Sequence, residues 1–188
     1  MNQYYPVNLK IKDKKCVVVG GGKVAERKIK FLLEKEGSVT VISPEITSRL
    51  EKLRREGRIN HLPVTYFSSP LKDAFLAIAA TNDRTINSHV AKDANKLGIL
   101  VNVVDSPAES SFILPATLSR GDLTIAVSTA GRSPALARKI KEDLALIYSE
   151  EYGDLVDMIA KTREKIRRKY PDSQRRKQIW REIMEKIR

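Results

Sequence analysis

The chain has 188 residues, a formal net charge of +12, 41% hydrophobic and 31% charged residues. That balance fits a folded soluble protein and excludes a disordered polyelectrolyte, and no apolar run approaches the ~20 residues that span a bilayer. The only cysteine, Cys16, excludes an internal disulfide.

The N-terminal stretch MNQYYPVNLKIKDKK lacks the apolar centre of a secretory signal, so a cytoplasmic location is expected. KKCVVVG then reads as a buried strand and KVAERKIKFLLEKEG as an amphipathic helix stopped by Gly37. SVTVISP is a second strand, ended by Pro44, and ITSRLEKLRREGR a second helix ending near Gly57. INHLPVTYF predicts a short strand, AFLAIAAT a strongly apolar one, and NDRTINSHVAKDANKLG a helix capped by Asn82 or Asp83. ILVNVVD closes the series. Nearly continuous apolar strands separated by helices imply a parallel sheet covered on both faces, an α/β domain.

After Asp105 the pattern changes. Two strand-like runs flank the turn SRGD, which predicts an antiparallel hairpin; the RGD triplet is turn chemistry. Ser133 as N-cap and Pro134 at the first helical position open a helix. Helices are expected to continue to the end, interrupted at Pro171, with Asp172 or Ser173 capping the last one.

Gly20, Gly22 and Ala25 satisfy G-x-G-x-x-G/A between a strand and a helix, the context that a dinucleotide-binding turn needs. Gly20 serves the tight turn, Gly22 lets a diphosphate approach the backbone, and the small Ala25 lets helix and strand pack closely. Gly21, Lys23 and Val24 lie along the same turn. The residue after the second strand usually binds the ribose hydroxyls. Here it is Ser43, with Glu45 two residues on and Arg49 available to a 2′-phosphate, a pattern that leans toward NAD and leaves NADP open. Thr81, Asn82 and Asp83 end the AFLAIAAT strand at the sheet edge where ligands bind in open α/β folds; capping is the competing role. Asp105 ends ILVNVVD at that same edge, as a general base or acid or as a turn cap before Pro107. In STAGRSPALARK, Gly131 and Arg132 beside a helix start form a second place suited to an anion.

Other chemistry is poorly supported. His61 and His89 belong to no ligand-spacing pattern, no metal site is expected, and Cys16 reads as a small buried hydrophobe. There is no nucleophile elbow or Walker motif. The C-terminal positive charge, in KTREKIRRKY and SQRRKQIWREIMEKIR, is interleaved with glutamates and reads as solvated helix faces, with no nucleic-acid partner and no membrane expected. The competing reading is an NAD(H)-sensing regulator whose basic tail binds nucleic acid, against which stands the lack of a helix-turn-helix pattern.

VVVGGGKVAERK, AIAATND, NVVDSPAESSFILPA and AVSTAGRSPALARKIKE, in this order and spacing, resemble the precorrin-2 dehydrogenase/sirohydrochlorin ferrochelatase family, the dehydrogenase module of siroheme synthase. The likeness runs from about residue 5 to at least residue 150. It implies a Rossmann NAD-binding domain over 1–112, a dimerisation region over 113–146, a helical C-terminal domain over 147–188, and a homodimer. It implies NAD-dependent oxidation of precorrin-2 to sirohydrochlorin, with insertion of Fe²⁺ to give siroheme in some members. The family's essential aspartate corresponds to Asp105, and its cofactor contacts to Gly21, Gly22, Lys23, Val24, Pro44 and Glu45. Ser128 corresponds to a serine near the substrate pocket. A polyanionic tetrapyrrole suits a basic protein, with Arg132 and Arg138 as candidates for its carboxylates. A chain of this length has no room for the methyltransferase domain fused to some members, so a stand-alone enzyme is expected.

Overall fold

The structure, a computed structural model, describes residues 3–104 and 106–187; Asp105 therefore lies outside the described residues. The chain divides into two compact units, Met1–Ile113 and Leu114–Arg188.

The first unit runs β1 (Lys15–Val19), α1 (Lys23–Glu34), β2 (Ser38–Ile42), α2 (Ser48–Arg55), β3 (Ile59–Leu62), β4 (Leu76–Ala79), α3 (Arg84–Lys96) and β5 (Leu100–Val103). The strands form one parallel sheet in the order β3-β2-β1-β4-β5. Chain direction across the sheet reverses at β1, and the carboxyl edge beside such a reversal is where open α/β sheets take ligands. Register brings the strand ends level: Val19 pairs with Ile42 on one side and Ala79 on the other. The loops after β1, β2 and β4 therefore emerge together.

Strand residues alternate between two cores because successive side chains point to opposite faces. Cys16 and Val18 pack with Ala25, Ile29 and Leu32 of α1 and Leu50 of α2. Val17 and Val19 pack with Val90, Ala91 and Ala94 of α3. Both faces being covered, the strands are apolar throughout, as parallel strands must be. The β3 strand stops at Leu62, short of the predicted 59–67: the Val64 amide, next in line to pair with β2, donates instead to the Leu62 carbonyl at 2.9 Å, while His61 Nε2 lies 2.9 Å from the Ser43 carbonyl that this amide would have met. At the opposite border, β5 is sealed by side chains. Its outward amides at Val101 and Val103 donate to the hydroxyls of Ser111 (2.7 Å) and Ser110 (2.9 Å), and Asn102 Nδ2 donates to the Phe112 carbonyl at 3.1 Å.

The second unit holds the hairpin β6 (Ala116–Arg120) and β7 (Leu123–Val127), then α4 (Pro134–Ile147), α5 (Glu151–Lys169) and α6 (Ser173–Met184). Ser133 caps α4 by accepting from the Leu136 amide, and Asp172 caps α6 by accepting from Gln174 and Arg175. The helices break once more than predicted, at Tyr148–Glu150. Tyr148 leaves helical geometry, and its carbonyl accepts from Arg120 Nε at 2.9 Å, while Arg120 also pairs with Glu150 at 2.8 Å. A tertiary partner for that carbonyl thus replaces the next helical turn. Gly121 and Gly153 meet closely there, where a Cβ on Gly121 would lie 3.2 Å from the Gly153 Cα.

Candidate functional site

The three glycines after β1 are glycines for different reasons. Gly20 has φ +117°, and its amide donates to the Ile42 carbonyl at 2.9 Å. A Cβ there would collide with the Ala80 carbonyl, 2.7 Å from its carbon. Gly21 is buried, and a Cβ would strike the Glu45 carbonyl and lie 2.9 Å from Ser43 Oγ. Both are excluded from bearing a side chain by the protein itself. Gly22 is not. Its φ of −83° suits any residue, and a Cβ would meet nothing within 4 Å. Glycine here is explained by something that approaches from outside.

Gly22 is also the N-cap of α1, and no side chain caps that helix. The first-turn amides and the positive end of the helix dipole face the open space in front of Gly22, the electrostatics that a diphosphate requires. Lys23 and Val24 are exposed on this turn, and Ala25 is wholly buried beneath it. The residues present thus fit a dinucleotide.

The loop after β2 is fastened to this turn. The Thr47 amide donates to the Gly21 carbonyl at 3.0 Å. Thr47 Oγ1 caps α2 and donates to Glu26 Oε2 at 2.7 Å, and Arg49 Nε lies 3.8 Å from Glu26 Oε1. Within the loop, Ser43 Oγ donates to the Glu45 carbonyl at 2.7 Å. His61 Nε2 lies 2.9 Å from the Ser43 carbonyl, which can only accept. Pro44 and Glu45 are exposed. Gly21, Ser43 and Glu45 are therefore brought together, as their candidacy for one site requires.

At the end of β4, Thr81 and Asn82 face different tasks. Thr81 is tied down: its hydroxyl donates to Asn87 Oδ1 (2.7 Å), and Asn87 Nδ2 donates to the Thr81 carbonyl (3.0 Å). Asp83, rather than Asn82, caps α3, accepting from Thr85 and Ile86. Asn82 stays exposed. Beyond β5, the segment after Asp105 is clamped. Glu109 accepts from the hydroxyls of Ser88 and Ser106, which hold its carboxyl below the usual range.

In the second unit, the loop between β7 and α4 carries Ser128, Ala130 (φ +53°) and Gly131 (φ +80°). Ser128 Oγ accepts from the Ala130 amide, and Thr129 Oγ1 from the Ser133 amide. Arg132 and Arg138 are exposed. Among the described residues no salt bridge engages either.

Sequence reasoning missed Asn87, Glu26, Thr47 and Glu109 as organisers of these loops. One signal was present for Asn87: it falls on the same helix stripe as Val90, Ala91 and Ala94, so a polar group sat on a face that is otherwise apolar.

A five-stranded parallel sheet whose first turn is an uncapped, glycine-lined helix start defines a Rossmann-type dinucleotide-binding domain. Comparisons sharpen this. The family described as putative NAD(P)-binding matches residues 7–116, sirohaem biosynthesis protein central matches 120–145, and sirohaem synthase dimerisation region matches 151–186. The segment matched as the dimerisation region follows the 113–146 span assigned to that role by sequence reading. The solved structure of SirC, precorrin-2 dehydrogenase, superimposes with a TM-score of 0.82 at 33% identity, covering 96% of this chain and 89% of that one. Siroheme synthases of Methylobacillus flagellatus and Chromobacterium violaceum are 39% and 38% identical over 97% of this chain. The chain spans 39% of the length of those two relatives. It belongs to the family of precorrin-2 dehydrogenases and siroheme synthase dehydrogenase modules.

Proposed function

We propose that this protein oxidises precorrin-2 to sirohydrochlorin with NAD⁺ as acceptor, as part of siroheme synthesis. The observation that carries the reading is the likeness to SirC across nearly the whole of both chains, at 33% identity and a TM-score of 0.82. The glycine turn agrees with it independently, because Gly22 lacks any internal reason to be glycine.

The chain's own groups divide the work. Amides at the start of α1, around Gly21, Gly22, Lys23 and Val24, bind the diphosphate. The loop of Ser43, Pro44 and Glu45 takes the adenosine ribose, and Thr81 and Asn82 border the crevice beyond Gly20. Bound NAD⁺ supplies the hydride acceptor. The oxidation also requires loss of a proton from the macrocycle, and Asp105, next in sequence after Val104, is the base that takes it or orients the substrate. Arg132, Arg138 and Ser128 hold the carboxylate rim of the polyanionic substrate. Fe²⁺ is proposed as a second substrate, bound by the macrocycle's own nitrogens. The proposed organisation is a Rossmann domain over 1–112 followed by 113–146 and a helical 147–188, acting as a cytoplasmic homodimer. Among the described residues no helix is long and apolar enough to cross a membrane.

The test is anaerobic incubation with precorrin-2 and NAD⁺, with and without Fe²⁺, followed by absorbance of the macrocycle. Sirohydrochlorin should accumulate with stoichiometric NADH. The Asp105→Ala protein should bind NAD⁺ yet form no product. Turnover at the wild-type rate by that variant would remove Asp105 from the chemistry, and no turnover by the wild-type protein would sink the assignment.

A further inference from the structure

We infer that Glu26 sets the preference of the site for NAD over NADP, by engaging Arg49 and by fixing a negative charge beside the adenosine ribose. The inference rests on the dinucleotide reading above.

In Rossmann-type sites the ribose rests at the carboxyl end of the second strand, where an acidic residue selects NAD and an arginine accommodates the 2′-phosphate of NADP. Here the residue in that place is Ser43, whose hydroxyl already donates to the Glu45 carbonyl. The hydroxyl oxygen can still accept from a ribose hydroxyl, but it carries no charge to oppose a 2′-phosphate. Arg49, in the first turn of α2, is the cation a 2′-phosphate would seek. Its Nε lies 3.8 Å from Glu26 Oε1, while the other oxygen of Glu26 accepts from Thr47 Oγ1 at 2.7 Å. Thr47 is itself bonded through its amide to the Gly21 carbonyl. The carboxylate is therefore anchored across two elements, and its side chain is only 23% exposed, against 64% for Arg49. A mobile surface glutamate could swing away from an arriving phosphate. This one is held at the junction of the glycine turn and the ribose loop.

A 2′-phosphate entering this corner meets a fixed like charge and an arginine that is already partnered. The uncharged 2′-hydroxyl of NAD meets no such repulsion. Selectivity of this kind works by penalising the wrong ligand rather than by adding a contact to the right one.

The experiment titrates NAD⁺ and NADP⁺ separately into the full chain by calorimetry, for wild type, E26Q, E26Q/R49A and E45Q, with thermal melts to confirm folding. Glutamine at 26 keeps an acceptor for the Thr47 hydroxyl, so the loop stays tethered. In E26Q the ratio of the two dissociation constants should move about tenfold toward NADP⁺, a modest value because Arg49 is largely solvated. Adding R49A should cancel most of that gain. An unmoved ratio in E26Q would overturn the inference, as would a shift produced by E45Q alone, which would assign selection to Glu45. Wild-type protein that binds neither dinucleotide would bring down the cofactor reading and this inference together; wild-type binding with an unmoved E26Q ratio would bring down only the latter.

Discussion

Replacing Gly22 by serine should make the protein more stable and a poorer binder of NAD⁺. The position is the N-cap of α1, its backbone is extended (φ −83°, ψ −175°), and no side chain now caps the helix. A Cβ there touches nothing within 4 Å, so serine enters without strain. Its hydroxyl can accept from the amide of Val24 or Ala25, which adds a few tenths of a kcal/mol over glycine, and the loss of glycine's freedom in the unfolded chain adds about 0.4–1 kcal/mol. Together that is about 1 kcal/mol, or a rise in melting temperature of about 2–4 °C for a chain of this size. The same hydroxyl consumes an amide that the diphosphate needs. Losing one hydrogen bond to a charged group removes about 1.5–3 kcal/mol, so NAD⁺ should bind about ten- to a hundredfold more weakly. Calorimetric titration and a thermal melt on the same sample read both effects. Unchanged affinity would refute the diphosphate site, and a lower melting temperature would refute the cap geometry.

Gly20→Ala should behave in the opposite way, as a folding defect. The added Cβ runs into the Ala80 carbonyl at a residue with φ +117°, and urea denaturation should show a loss of about 2–5 kcal/mol; a loss below about 1 kcal/mol would contradict the close approach of β1 and β4. Cys16 gives a pH dependence whose sign can be worked out. Burial pushes its thiol up from 9.0 to about 11, so the folded state keeps a proton that the unfolded chain releases. The stability it contributes is present below pH 9 and is lost as the pH rises toward about 11. Wild type should lose stability over that window relative to Cys16→Ala, and parallel denaturation curves for the two would refute the burial of the ionising group.

The β1 turn was legible because its chemistry is local. A β-branched strand, three glycines and a small residue at Ala25 need no distant partner to be recognised. The parallel sheet followed from strands apolar on both faces. What stayed hidden depends on contacts across elements. Nothing around Glu26 announces that it meets Thr47, 21 residues away. The break at Tyr148–Glu150 was invisible because Tyr-Ser-Glu is not a helix terminator; the terminator is Arg120, 28 residues earlier. The α3 cap was narrowed to Asn82 or Asp83 because both types cap well, and the backbone decided in favour of Asp83. Likewise, the roles of Ser110 and Ser111 required knowing that β5 is the outermost strand.

That pair of serines has a further consequence. An outermost strand ordinarily presents a row of vacant amides to which any extended peptide can add, and proteins must guard against such recruitment. Here two hydroxyls from the strand's own downstream chain answer those amides first. Together with the Ser111 amide, which donates to the Val101 carbonyl at 2.8 Å, they close the sheet at that border, so an extended peptide finds no free amide on β5 at Val101 or Val103.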